Sequence, residues 1–144
     1  MTQGDKELLL KDLCARLDTN LVCSIYRTDD YGVGYRDEIL SGYCKGDIWY
    51  EFYFGDDCGI GIDNVSKIKP YLFPLSSMTE EQKREYYSLK HEVPVCHYEY
   101  GDVVEEFELY DSPESFEYLI ENHFDYRGLI PMGLAEDATD KNIY

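Results

Sequence analysis

DIWYEFYF, residues 47 to 54, decides the fold class. Its alternation is strict: Ile48, Tyr50, Phe52 and Phe54 project to one face, and Trp49, Glu51 and Tyr53 to the other. A period of two with aromatic residues on both faces marks a β-strand with one side laid on a core. A lone strand cannot satisfy its own backbone, so the flanking sequence must supply partners.

It does so on both sides. In NLVCSIYRT (20–28), Leu21, Cys23 and Ile25 share one face, and Val22, Ser24 and Tyr26 the other. TDDYGVG (28–34) has turn chemistry, and YRDEILSGYC (35–44) reads as a weaker strand. GDDCGIGIDN (55–64) turns and starts a short strand, which VSKIKPYL (65–72) continues or follows with another. The glycine pairs GVG (32–34) and GIG (59–61) read as hairpin turns. A dinucleotide loop would need a third glycine opening a helix.

Helical patterns bracket this region. Thr2 and Asp5 resemble a capping box, with Asp5 itself as the alternative cap, ahead of Leu9, Leu10, Leu13 and Leu17, which recur at helical spacing. Ser77 and Glu80 form a second box, opening a helix of about three turns. VPVCHYEY (93–100) and VVEEFELY (103–110) flank Gly101-Asp102 and read as a hairpin. Val103, Phe107 and Leu109 share a face with Glu105, and Glu106 and Glu108 lie opposite. Ser112 caps a last helix with Pro113 at its first position. Phe116, Leu119, Ile120 and His123 fall on one side of that helix, and Gly128 is placed to end it with a left-handed turn.

The expected fold is therefore α+β: an antiparallel meander or half-barrel with an N-terminal helix, then helix, hairpin, helix. Residues 1–144 make a single domain, divisible into lobes 1–73 and 74–144 at the proline-broken stretch near 70–78.

Charge narrows the function classes. Thirty acidic against thirteen basic residues leave a net charge of −17, and residues 91 to 126 hold eleven acids with no Lys or Arg. Such a face repels phosphate, so neither nucleic-acid nor anionic-membrane binding is expected. No apolar run approaches the roughly 20 residues of a membrane helix. MTQGDKELLLKDL has no signal-peptide pattern, so a cytoplasmic protein is expected.

No catalytic or metal motif emerges. The five cysteines, Cys14, Cys23, Cys44, Cys58 and Cys96, never pair at metal or redox spacing, and read as buried free thiols. Cys96 and His97 are strand neighbours pointing to opposite faces, so they cannot act as a direct pair. Asp29-Asp30 and Asp56-Asp57 lack the alternating ligand pattern of a calcium loop. No cofactor is expected.

The recognition candidates are of three kinds. Tyrosine joins an apolar ring to a polar tip, and Trp49, Tyr50 and Tyr53 stand out among fifteen tyrosines and one tryptophan. Glu105, Glu106 and Glu108 give the hairpin an acidic surface. Arg127, the only base between Lys90 and Lys141, lies in HFDYRGLIPMGLA (123–135). Its guanidinium amid carboxylates is expected to pair internally, while Leu129, Ile130, Met132 and Leu134 close onto the core.

IKPYLFPLSSMTEEQK (68–83), HFDYRGLIPMGLAEDAT (123–139) and KDLCARL (11–17) together resemble a family of small uncharacterised proteins encoded by phages, prophages and mobile elements of gut anaerobic bacteria. The resemblance leaves out residues 20–66 and the acidic hairpin, and it carries no activity, cofactor or site residue. It implies an accessory protein working in a bacterial host cytoplasm. The leading expectation is a non-enzymatic protein that binds a host protein and inhibits host defence or regulation. The alternative is a sponge for a small nucleotide, with tyrosines stacking on the base and Arg127 or Lys69 holding phosphate. An enzyme with dispersed carboxylates is the third and weaker reading.

Overall fold

Phe52 and Phe54 lose all contact with water, and the strand they mark sits inside a sheet rather than at its rim. The computed structural model describes residues 1–29, 32–45, 50–55 and 57–144; among these, the side chains at 29, 45, 50, 57, 58, 61–63, 97–99, 102 and 105 are outside the description, Tyr50 and Glu105 included. Trp49 and Ile48 also lie outside the described residues. The fold is α+β and begins with an N-terminal helix, as the patterning predicts.

Helix α1 spans Gln3–Ala15. The Thr2 hydroxyl accepts from the Asp5 amide and the Asp5 carboxylate accepts from the Thr2 amide, so Thr2 is the cap. Asn20, at φ 56°, makes the left-handed turn into the first strand, a conformation that its short polar side chain tolerates. Strands β1 (Val22–Asp29), β2 (Gly32–Lys45), β3 (Tyr50–Phe54) and β4 (Asp57–Gly61) form an antiparallel meander. A 3₁₀ turn over Ile62–Lys67 leads to β5 (Ile68–Leu72), which pairs with the free side of β1.

Near the C-terminus, the two-residue strand β8 (Glu136–Asp137) adds in parallel to β5. The sheet order is β4-β3-β2-β1-β5-β8, mixed only by that last strand. Leu21, just before β1, with Cys23 and Ile25, which the alternation groups on one face, join Leu9, Leu13, Leu40, Phe52, Phe54 and Ile68 in one core. Burial at about 25 cal/mol per Å² of apolar surface is what holds the helix on the sheet.

Two corrections concern glycine. Gly32 and Gly34 lie in β2, and Gly59 and Gly61 in β4, so neither pair is itself a turn. At Gly59 the reason is steric, because a Cβ there would come within 2.8 Å of the Glu51 side chain.

The remaining elements are the 3₁₀ turn Leu75–Ser77, α2 (Glu80–Ser88), β6 (His91–Glu99), β7 (Asp102–Tyr110) and α3 (Pro113–Glu121). The cap of α2 is Thr79 with Gln82, and not Ser77 with Glu80: the 3₁₀ turn takes Ser77, whose hydroxyl donates to the Pro74 carbonyl. The hairpin turn is Tyr100-Gly101, one residue earlier than expected, because Glu99 pairs with Asp102. Ser112 caps α3 with Pro113 in its first turn, as expected. His123 is not on α3, which ends at Glu121; His123 itself takes the left-handed turn after it, at φ 57°, while Gly128 is left-handed as expected, at φ 71°, but falls later in the tail and does not end the helix.

The chain divides into two compact units, Met1–Ser77 with His123–Tyr144, and Met78–Asn122. The first division falls near the proline-broken stretch. The second arises because residues 123–144 return to the first unit, where β8 and the core residues Leu129 and Leu134 belong. No helix among the described residues is long and apolar enough to cross a membrane.

Candidate functional site

Among the described residues, the sheet's aromatic side chains do not gather into one exposed site. Tyr53 is half-buried and donates its hydroxyl to Glu51 at 3.2 Å. Tyr43 tilts against Phe52, 5.2 Å between ring centres, and packs on the core. Tyr26 and Tyr35 face each other across β1 and β2 and meet edge to face. Tyr71 is buried and donates to Asp37 at 2.9 Å. These rings pair with one another or with carboxylates, which is how half-buried tyrosines satisfy both of their ends.

Arg127 sits in the closure segment. Its Nε lies 3.4 Å from the carboxylate of Asp12, which is fully buried and also holds Arg16 through contacts of 2.9 and 3.3 Å. Arg16 in turn donates to the Phe124 carbonyl at 2.7 Å, tying α1 to the returning tail. Both guanidinium groups approach the Tyr126 ring, that of Arg16 at 5.6 Å from its centre and that of Arg127 at 4.7 Å. Asp125 accepts from the Leu129 and Ile130 amides at 2.7 and 2.8 Å, pinning the following turn. Leu129 and Leu134 are buried and Ile130 packs beside them, but Met132 stays 48% exposed because the turn carries it outward. Lys69, the other cation suited to a phosphate, pairs with Glu136 at 3.2 Å. Lys69 is thus hydrogen-bonded to its carboxylate, whereas Arg127 meets Asp12 at ion-pair distance only, its buried Nε making no hydrogen bond among the described residues.

The hairpin β6–β7 is different in kind. It forms a two-stranded sheet of its own, so each strand has one edge with no strand partner among the described residues. Paired positions share a face, which places Pro94, Phe107, Leu109, Cys96 and Val103 on one side and Val93, Val95, Glu106 and Glu108 on the other. That first side also takes Glu92 and Glu105 by register, and its apolar members are open to water: Val103 and Phe107 are each 62% exposed and Leu109 is 51% exposed. Glu106 and Glu108 are exposed as well, and the Tyr110 hydroxyl donates to Glu108 at 2.6 Å.

At the base of this hairpin a polar cluster fixes its helices. Tyr86 donates to Asp111 at 2.5 Å, Lys90 reaches the same carboxylate at 3.2 Å and lies 4.7 Å over the Tyr86 ring. The Tyr86 hydroxyl, with Lys90 adding to it, holds the Asp111 carboxyl below its ordinary range against the opposing effect of burial. The Ser112 hydroxyl donates to the Leu89 carbonyl at 2.6 Å.

Exposed apolar side chains were the feature that sequence reasoning missed. The alternation of β7 was legible, but nothing local says whether an apolar face finds cover. Four cysteines are described, all free; Cys23 is buried and Cys44 half-buried, whereas Cys14 and Cys96 are exposed, contrary to the expectation of buried thiols. No group of three or more metal-ligating side chains converges among the described residues. No protein-family model, curated protein or solved structure matches the chain.

Proposed function

We propose that the protein is a non-enzymatic accessory protein of a phage or mobile element that binds a host protein in the bacterial cytoplasm and inhibits a defence or regulatory factor. The observation that carries this reading is the hairpin, where Val103, Phe107 and Leu109 stand exposed on a segment with eleven acids and no Lys or Arg. Exposed apolar groups beside one sign of charge are the makings of a recognition surface. The apolar part supplies affinity and the charge supplies steering and choice of partner. The partner that suits it carries a basic face. The phage context rests on the resemblance of residues 11–17, 68–83 and 123–139.

The test is affinity capture from host lysate with the intact protein and a Glu106→Lys/Glu108→Lys variant. A true partner is retained by the parent at about 0.05 M salt and lost at about 0.5 M, as screening shortens the reach of the acidic surface. The variant loses it at both salts while its circular dichroism stays that of the parent. A partner indifferent to salt and to charge reversal would sink the reading.

A further inference from the structure

We infer that the outer edge of β7 is a docking site for an extended strand of a partner protein in which apolar and basic residues alternate. The inference rests on the acidic-surface reading above and names how that surface is used.

The turn sets the geometry. Tyr100 and Gly101 both have positive φ, 50° and 95°, the signature of a two-residue primed turn. Such a turn closes on a hydrogen-bonded pair, here Glu99 and Asp102. Opposed residues then alternate between bonded and non-bonded pairs along the ladder. His97–Val104, Val95–Glu106, Val93–Glu108 and His91–Tyr110 are bonded pairs; Tyr98–Val103, Cys96–Glu105, Pro94–Phe107 and Glu92–Leu109 are not. Pro94, which has no N–H to give, falls in a non-bonded pair, the only kind a proline can occupy without losing a ladder bond.

The two outer edges are therefore unequal. The backbone groups of non-bonded pairs point away from the hairpin. On β6 that row is interrupted in the middle by Pro94, a common device for blunting an edge. On β7 the row runs through Val103, Glu105, Phe107 and Leu109 without a proline. An incoming strand finds a full set of backbone donors and acceptors there, which is the basis of recognition by strand addition.

Side chains specify the occupant. A strand laid along β7 alternates its own side chains between the two faces. On one face they continue the row of Val103, Glu105, Phe107 and Leu109, in which three of four positions are apolar, and on the other they stand beside Glu106 and Glu108. Apolar residues fit the first and Lys or Arg the second. A second copy of the chain does not fit, because β7 against β7 sets glutamates against glutamates, and like charges on neighbouring strands repel.

The experiment uses the intact, isotope-labelled protein and three peptides. Each has nine residues, matching the length of β7. One alternates Lys and Val, one has the same composition in blocks, and one is the alternating peptide N-methylated throughout. The expected result is that the alternating peptide binds about tenfold or more tighter than the other two. It also slows hydrogen exchange at the Val103, Glu105, Phe107 and Leu109 amides. Equal binding of all three with those amides unchanged would overturn strand addition and leave the acidic-surface reading standing. Protection at Glu92 and Cys96 would overturn the choice of edge. No binding of any peptide at low salt would remove the acidic-surface reading itself, and strand addition with it.

Discussion

His123 carries several roles in one residue. It takes the left-handed turn at φ 57°, stacks its ring on Tyr144 with 4.1 Å between centres, and leaves its Nδ1 buried with no hydrogen-bond partner among the described residues. Burial, with the nearby Arg16 charge adding to it, pushes its pKa from 6.5 down to about 4. The imidazole is thus neutral in the native protein and protonates more readily in the unfolded chain. Between pH 6.5 and 4 the unfolded state binds more protons, so stability falls as the solution is acidified, by up to about 1.4 kcal/mol per pH unit. His123→Asn keeps a side chain that tolerates the left-handed backbone. Its urea midpoint should be lower than the parent's at pH 7, through lost packing on Tyr144, but should change less than the parent's between pH 7 and pH 5. An equal change in both proteins would show that other groups set the pH dependence.

At the scale of elements, the helices and strands were legible wherever a pattern repeats. Leu9 and Leu13 on α1, and Leu21, Cys23 and Ile25 at β1, took the faces that their spacing assigned. Boundaries were less legible because two valid signals can overlap. Ser77 with Glu80 and Thr79 with Gln82 both have capping-box spacing, two residues apart, and only the 3₁₀ turn at Leu75–Ser77 chooses between them. The choice has an energetic consequence. Thr79→Ala removes the hydroxyl that accepts from the Gln82 amide at 3.2 Å and should cost about 1 kcal/mol. Ser77→Ala removes only a donor to the Pro74 carbonyl and should cost less. Urea titrations of both variants decide it, and a larger loss at Ser77 would reverse the assignment. The hairpin turn shifted for a similar reason: Gly101-Asp102 has turn composition, but the strand register is fixed by which residues pair, and Glu99 pairs with Asp102.

For the whole molecule, what the sequence could not convey was long-range placement. The return of residues 123–144 to the first unit depends on Arg16 reaching Phe124 and on β8 joining β5, contacts between residues far apart in the chain. The candidate site shows the same limit: Glu106 and Glu108 were legible as an acidic pair, while the exposure of Val103, Phe107 and Leu109 was not. Net charge, by contrast, is a property of the sequence alone, and it makes a prediction with two signs. Thirteen bases cannot neutralise thirty acids, so the native chain repels itself at long range. Raising salt from about 0.01 to 0.1 M shortens the screening length from about 30 to 10 Å and relieves that repulsion. The same salt weakens exposed pairs such as Lys83–Glu80 and Lys141–Glu136, each worth at most about 1 kcal/mol. Self-repulsion involves many more charges than these pairs, so the thermal midpoint should rise with salt over that range. Binding of a basic partner should weaken over the same range, because salt screens the attraction between unlike surfaces just as it screens repulsion within one. A midpoint that falls with salt would mean that local ion pairs outweigh the net charge, and the acidic surface would then owe more to internal pairing than to any reach toward a partner.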